Sequence, residues 1–227
     1  MKKQHNFFRL AGILYFIVII CGIFAELFVR GSIFQADDAV STYQNIVDSN
    51  RIYLYGFISD LIMQTAYLLL PMVLFMLFKH IDQYIASTMI FFVMIAVAIM
   101  CINMLNHYAP IILIEQGQLV KGNDVISLQN QIVFYLTMHE KGYHIAQIFF
   151  GLWLMPLGYL VYRSKNFPKF LGICLMLGCL GYLIDFAIYF LSPNLNQILT
   201  SWITLPADIG EVGLCLYLLF QSKSRAN

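Results

Sequence analysis

Residues 53–78 read YLYGFISDLIMQTAYLLLPMVLFMLF, a run whose only charged residue is Asp60. A helix crosses the hydrocarbon core of a bilayer with roughly 20 mostly apolar residues, and this run is long enough to do so. The stretch therefore predicts a transmembrane helix that carries a carboxylate inside the membrane. Such a charge is costly in hydrocarbon and usually serves binding, proton transfer or chemistry.

Five further apolar runs of similar length predict five further spans. The six predicted spans are 10–29, 53–78, 85–109, 139–162, 170–191 and 199–220. The chain of 227 residues is 60% apolar and only 11% charged, and its mean hydropathy is +0.76, which is far from the composition of soluble domains. We therefore predict one all-α integral membrane domain over residues 1–227, a six-helix bundle without a second soluble domain.

Basic residues near the span ends predict the orientation, because cytoplasmic loops are enriched in Lys and Arg. One side holds Lys2, Lys3, Arg9, Lys79, Arg163, Lys165, Lys169, Lys223 and Arg225, and the other holds Arg30, Arg51, Lys121 and Lys141. This asymmetry predicts that both termini are cytoplasmic. The basic residues flank spans and form no patch, so we expect membrane lipid as a partner and no nucleic acid. The oligomeric state is left open.

Ionisable residues recur inside the predicted spans or at their ends. They are Glu26, Asp60, His139, Glu140, His144, Asp185, Asp208 and Glu211. Residues three and four apart share a helix face, and Asp60, Gln64, Tyr67 and Pro71 follow that spacing in the second predicted span. Each other span also has one polar or small face, which predicts a polar cavity inside the bundle.

The depth of these groups predicts a cavity that opens outward. At about 1.5 Å of rise per residue, the acids and histidines fall in the outer half of the membrane or near its middle. The predicted residues that bind a small-molecule ligand or an ion are Glu26, Asp60, His139, Asp185 and Glu211, supported by Arg30, Gln64, Asn103 and Asp208.

Three functions fit such a set of residues. In transport or proton relay, Asp60 and Glu211 would share a proton or a cation. In a metal-assisted enzyme acting on a lipid or a small amphiphile, a metal site of His139, Glu140 and His144 would bind zinc or iron. In a structural or regulatory protein the acids would form internal ion pairs, for which Glu26 and Arg30 have the spacing of one helical turn.

Two further features are interpreted as ordinary parts of a membrane protein. Aromatic residues near predicted span ends, such as Tyr53 and Tyr143, are expected in the aromatic belts at the membrane surface. The segment 31–50 is expected to be the longest external loop.

Several stretches of the chain resemble a known family. They are FAELFVRGS at 24–32, FFGL at 149–152, GYLVYRS at 158–164 and LGYLID at 180–185. Together they resemble the domain of unknown function 4386 family, and the resemblance covers about residues 8–221. It implies a small multi-pass protein of the bacterial inner membrane. It also places Glu26, Asp60, His139, Asp185 and Glu211 on polar positions typical of the family, whereas His144 departs from the pattern.

Overall fold

Helices make up nearly all of the computed structural model, which describes residues 2–117 and 123–224. The helices are α1 Lys2–Ile23, a π-helical segment Phe24–Arg30, α2 Gly31–Ile33, α3 Ala39–Asp48, α4 Asn50–Phe78, α5 Gln83–Gly117, α6 Asn123–Leu152, α7 Leu154–Arg163, α8 Lys169–Leu191 and α9 Pro193–Ser224. No β-strand occurs in the two described ranges. The all-α prediction is confirmed.

Six helical stretches are long and apolar enough to cross a membrane. In chain order these spans are Asn6–Ile33, Asn50–Phe78, Gln83–Gly117, Asp124–Arg163, Lys169–Leu191 and Ile198–Phe220. The predicted number of spans is confirmed, and a multi-pass membrane protein follows from it. Two basic residues used to predict the orientation, Lys121 and Arg225, lie outside the described residues.

The fourth span differs most from its predicted bounds, because it begins at Asp124 and not at His139. Its first turns carry the polar residues Gln129, Asn130 and Gln131, which interrupt the apolar run in the sequence. The structure buries Gln129 against neighbouring helices. A polar stretch can form the start of a membrane helix when protein, and not lipid, surrounds part of it.

The segment 31–50 is not a plain loop, because it contains the ten-residue helix α3. Asp38 caps this helix: its carboxylate accepts from the Ser41 backbone N–H at 2.9 Å and from the Ser41 hydroxyl at 2.6 Å. Both bonds favour the ionised carboxylate and hold the pKa of Asp38 below its ordinary value. An acidic N-cap of this kind is a common helix start.

The six spans form a closed ring in chain order. Each span packs against the next one along the chain, and the first packs against the sixth. Buried side chains fill the centre, where the ring of Tyr15 from the first span lies 6.0 Å from the indole of Trp153 in the fourth. Trp153 also lies 5.4 Å from the ring of Tyr67 in the second span.

A break in the fourth span aims Trp153 at this centre. The helix is interrupted between α6 and α7, and Pro156 follows three residues later. Proline lacks an N–H and crowds the carbonyl four residues before it, so it breaks or bends a helix at this distance. Trp153 is consequently 1% exposed at the point where the two halves meet.

Glycines let the fourth and fifth spans approach closely. A Cβ on Gly158 would lie 2.7 Å from the Gly172 carbonyl oxygen, and a Cβ on Gly172 would lie 2.7 Å from the Tyr162 backbone nitrogen. Small residues of this kind allow close helix packing inside membranes. The outer surface is apolar, and residues on it such as Leu105 and Trp202 are 70% and 74% exposed.

Candidate functional site

Arg30 joins the first two spans through two carboxylates. Its Nε donates to Glu26 Oε2 at 2.8 Å, and its Nη1 donates to Asp60 Oδ2. The Asp60 side chain is 1% exposed, whereas that of Glu26 is 60% exposed. We call these three residues the Arg30 clamp. The predicted ion pair of Glu26 with Arg30 is confirmed, and the clamp neutralises a carboxylate that would otherwise be buried without a counter-charge.

Local backbone structure positions the clamp. Glu26 and Arg30 both lie in the π-helical segment at the end of the first span, and such segments are rare and recur at functional sites. The second span approaches closely because Gly56 has no side chain: a Cβ there would lie 2.7 Å from Val29 Cγ1. This close approach places the buried Asp60 within reach of the guanidinium.

Two buried histidines lie beside each other between the third and fourth spans. The rings of His107 and His139 are 5.0 Å apart, and His107 stacks on Tyr53 at 4.5 Å. Asn103 Nδ2 donates to the His139 carbonyl at 2.8 Å, and His139 Nδ1 lies 3.2 Å from the Asn103 carbonyl. Both ring nitrogens of His107 and Nε2 of His139 have no hydrogen-bond partner among the described residues.

A cavity of about 430 Å³, which we call the large cavity, lies between the first and fourth spans. Its lining residues are Glu26, Arg30, Gly31, Phe34, Leu136, His139, Glu140, Tyr143 and His144. The charged groups in this lining are two carboxylates and one guanidinium. When all are ionised, the lining therefore carries a net negative charge.

A chain of hydrogen bonds leads from the wall of the large cavity to Asp185. Tyr189 donates to Glu140 at 2.6 Å and accepts from Lys141 at 2.9 Å, and its ring stacks on His144 at 3.4 Å. His144 Nδ1 lies 2.7 Å from Gln147 Oε1. The amide nitrogen of Gln147 donates to Asp185, so the amide oxygen of Gln147 is the atom that faces His144. Because that oxygen can only accept, Nδ1 of His144 carries the hydrogen.

Asp185 is a buried acid whose two oxygens both accept hydrogen bonds. Gln147 Nε2 donates to one at 2.6 Å, and the Thr200 hydroxyl donates to the other at 2.5 Å. Asp185 lines neither the large cavity nor the small cavity described next. Its contacts join the fourth, fifth and sixth spans, which is a structural use of a buried carboxylate.

A second, small cavity of about 110 Å³ lies near the centre of the ring. Its lining residues are Val18, Met63, Gln64, Tyr67, Tyr143, Phe150, Trp153, Tyr182 and Glu211. Glu211 is the charged residue in this lining, and its Oε1 accepts from the Tyr15 hydroxyl at 2.9 Å. Among the described residues, no Lys or Arg forms an ion pair with Glu211.

Polar atoms at the small cavity are left without partners. Both amide atoms of Gln64 and the hydroxyl of Tyr67 are buried and make no hydrogen bond within the described part of the chain. Such atoms carry the full cost of leaving water. Tyr143 lines both cavities, so the two spaces share one wall residue.

A family model described as "Domain of unknown function (DUF4386)" matches residues 10–221. The chain belongs to the DUF4386 family. An uncharacterized protein of Archaeoglobus fulgidus is 42% identical over 50 residues, which make up 22% of this chain and 31% of that protein. The chain thus spans less than a third of that relative. No solved structure matches the chain.

The structure of this DUF4386 chain divides the five predicted binding residues among four places. Glu26 and His139 line the large cavity and Glu211 lines the small one. Asp60 is bonded to Arg30, and Asp185 accepts hydrogen bonds from Gln147 and Thr200. The five residues are thus spread over two cavities and two acids held by hydrogen-bond partners, and ligand binding by them stays a prediction.

The predicted supporting residues also separate. Arg30 lines the large cavity and Gln64 the small one, whereas Asn103 fixes the backbone of His139. Asp208 lies on an exposed face of its helix and lines neither cavity. Asp208 is therefore outside the cavity lining, although it lies one turn from Glu211 and the two acids interact electrostatically.

The three residues predicted to bind zinc or iron all line the large cavity, but they turn to different partners. His139 contacts Asn103, His144 contacts Gln147, and Glu140 accepts from Tyr189. In residues 2–117 and 123–224, no three His, Cys, Asp or Glu side chains lie close enough together to hold one metal ion. The described donor set does not fit a zinc or iron centre, and metal content stays a prediction for elemental analysis.

Sequence reasoning missed several residues of the two cavities. Tyr143 was expected in an aromatic belt, but the early start of the fourth span moves it into the bundle, where it lines both cavities. Tyr53 is buried against His107, whereas Tyr143 remains 37% exposed. Helical spacing contained the signal for Tyr143, since it lies four residues after His139 and four before Gln147.

Proposed function

We propose that this chain binds a small cation in the large cavity and passes it to Glu211 in the small one. It would thus serve in cation transport, of which proton relay is the special case for H⁺. The observation that carries the proposal is that Tyr143 lines both cavities, so that a wide cavity of net negative charge lies next to a small one that contains the half-buried carboxylate of Glu211.

Charge along this path supports a cation and not an anion. Two carboxylates and one guanidinium line the large cavity, and Glu211 alone supplies charge to the lining of the small one. Because Arg30 is already held by Glu26 and Asp60, its guanidinium offers an anion little free charge. A cation that moves inward therefore meets a net negative charge in both linings.

The depth of the two cavities supports a path along the membrane normal. Glu26 in the large cavity lies about 30 Å beyond Asn6 along the first span, and Val18 in the small cavity lies about 18 Å beyond it. We propose the bacterial inner membrane as the location, with both termini cytoplasmic. The large cavity would then face outward and the small one would lie near the middle of the bilayer.

Flux into proteoliposomes tests this proposal. Vesicles with the full chain would be assayed for uptake of Na⁺, K⁺, H⁺ and trimethylammonium, with protein-free vesicles as the baseline. We expect flux of at least one of these ions, and we expect Glu211→Gln to reduce it at least tenfold because the neutral amide no longer attracts a cation.

The matched control is Asp208→Asn, which also neutralises an acid of the sixth span, one turn from Glu211, but on an exposed face. It should leave the flux within about twofold of the wild type, since it lines neither cavity. Flux equal to that of protein-free vesicles for all four ions, or full flux in Glu211→Gln, would contradict the proposal.

A further inference from the structure

Aromatic side chains surround the small cavity from several directions. The rings of Tyr67 and Trp153 lie 5.4 Å apart at 83°, those of Tyr67 and Phe150 lie 5.8 Å apart at 64°, and those of Phe150 and Tyr143 lie 5.6 Å apart at 58°. Tyr182 completes the aromatic lining. A cation inside meets aromatic surface on more than one side, which is the geometry that recognises alkylated ammonium ions.

One carboxylate supplies the counter-charge. Glu211 lines the cavity, and Tyr15 donates to one of its oxygens. Within the described residues the carboxylate has no Lys or Arg partner. A carboxylate among aromatic rings favours a cationic ligand with an apolar surface over a neutral one.

Gln64 indicates that the ligand also carries a hydrogen-bond donor. Its side chain is 1% exposed and lines the cavity, and its Oε1 accepts no hydrogen bond from the described residues. The hydroxyl oxygen of Tyr67 is also buried without a hydrogen-bond partner among the described residues. An N–H group on the ligand would satisfy one of these buried acceptors and remove the cost of leaving it unpaired.

Cavity size favours a compact ligand, since the small cavity of about 110 Å³ is roughly a quarter of the large cavity of about 430 Å³. Trimethylammonium is a compact cation with an apolar surface, and it keeps one N–H. A bare alkali ion needs a shell of oxygen ligands, which a mostly aromatic lining does not provide.

We propose that the small cavity binds a methylated ammonium ion, best trimethylammonium, between its aromatic walls and the carboxylate of Glu211, with the N–H directed to Gln64 or Tyr67. This inference rests on the proposed function, because it names the cation that would reach Glu211. It concerns binding at one site, which is measured separately from flux.

Calorimetric titration of the full chain in detergent tests the inference. The probes are the chlorides of ammonium, methylammonium, dimethylammonium, trimethylammonium and tetramethylammonium, with sodium chloride as the inorganic comparison. Affinity should increase with each methyl group up to trimethylammonium and fall at tetramethylammonium, which has no N–H to donate to Gln64 or Tyr67. Equal affinities across the series, or no binding of trimethylammonium, would overturn the inference.

Three variants locate the site. Glu211→Gln and Tyr67→Leu should each weaken trimethylammonium binding at least tenfold, through loss of the counter-charge and of one aromatic wall. Tyr67→Phe keeps the ring and should stay within about threefold of the wild type. The control Asp208→Asn should bind as the wild type does. If Tyr67→Leu does not fold, Glu211→Gln decides alone, and unchanged binding in that variant overturns the inference.

The two proposals fail in different ways. Binding of trimethylammonium without flux of any ion would retain the site and remove the transport function. Flux of Na⁺, K⁺ or H⁺ that depends on Glu211, without trimethylammonium binding, would retain transport and remove the methylated ligand.

Discussion

The Arg30 clamp and the small cavity both place a carboxylate inside the bundle, but the two acids have opposite surroundings. Asp60 in the clamp is bonded to a guanidinium. Glu211 in the small cavity accepts from the Tyr15 and Tyr182 hydroxyls but has no Lys or Arg partner among the described residues, and it lies beside empty volume and the unpartnered atoms of Gln64. A carboxylate inside the bundle therefore indicates a binding site when it lines empty volume without a cationic partner, whereas a carboxylate bonded to a guanidinium stabilises the fold.

Removal of the guanidinium should have the largest effect on this comparison. Arg30→Met leaves Asp60 buried without a counter-charge, and the loss of one partner from a buried ion pair costs about 3–5 kcal/mol of unfolding free energy. Unfolding of the purified variant in detergent, followed by circular dichroism, measures this loss. Wild-type stability in Arg30→Met would show that the clamp is not a structural element.

Neutralisation of each acid in turn should separate the two regions. Asp60→Asn should lose about 2 kcal/mol of unfolding free energy, because a charged hydrogen bond to Arg30 is lost. Glu211→Gln should change the unfolding free energy by less than about 1 kcal/mol, because the amide still accepts from Tyr15 and no ion pair is lost. The same denaturation experiment measures both, and an equal loss in the two variants would contradict the comparison.

Gly142 offers a smaller perturbation close to the large cavity. A Cβ at this position would collide with the side-chain amide of Asn103, which holds the carbonyl of His139. Gly142→Ala should therefore cost about 1–3 kcal/mol of unfolding free energy. Its control is Gly22→Ala, where a Cβ meets only the flexible end of Met63 at 3.0 Å. Equal stability of the two variants would contradict the tight packing described for Gly142.

The smallest expected effect lies outside the spans, at the cap of α3. Asp38→Ala removes both bonds to Ser41, so amide hydrogen exchange should accelerate at residues 40–42 and stay unchanged in the six spans. Since the pKa of Asp38 is lowered in the fold, its contribution is present above the ordinary carboxylate pKa and is lost as the pH falls through the lowered value. Unchanged exchange in the variant would contradict the cap.

Helical spacing predicted part of this arrangement correctly. It placed Asp60, Gln64, Tyr67 and Pro71 on one face of the second span, and the structure buries all four. This worked because a continuous apolar helix leaves only one face for polar residues.

Spacing within one helix could not show which acids meet across the bundle. The pairing of Asp60 with Arg30 depends on the π-helical segment and on the close approach at Gly56. The position of Tyr143 depends on an early start of the fourth span that polar residues conceal in the sequence. Both features arise from contacts between helices, which the periodicity of a single helix does not record.

The most direct test is the flux of cations per folded molecule in proteoliposomes prepared with Glu211→Gln and with Asp60→Asn. If Glu211, which has no Lys or Arg partner, carries the cation and Asp60, which is bonded to Arg30, supports the fold, Asp60→Asn should yield less folded protein but keep its flux per molecule within about threefold. Glu211→Gln should fold as the wild type does and lose its flux. Wild-type flux in Glu211→Gln would contradict the account.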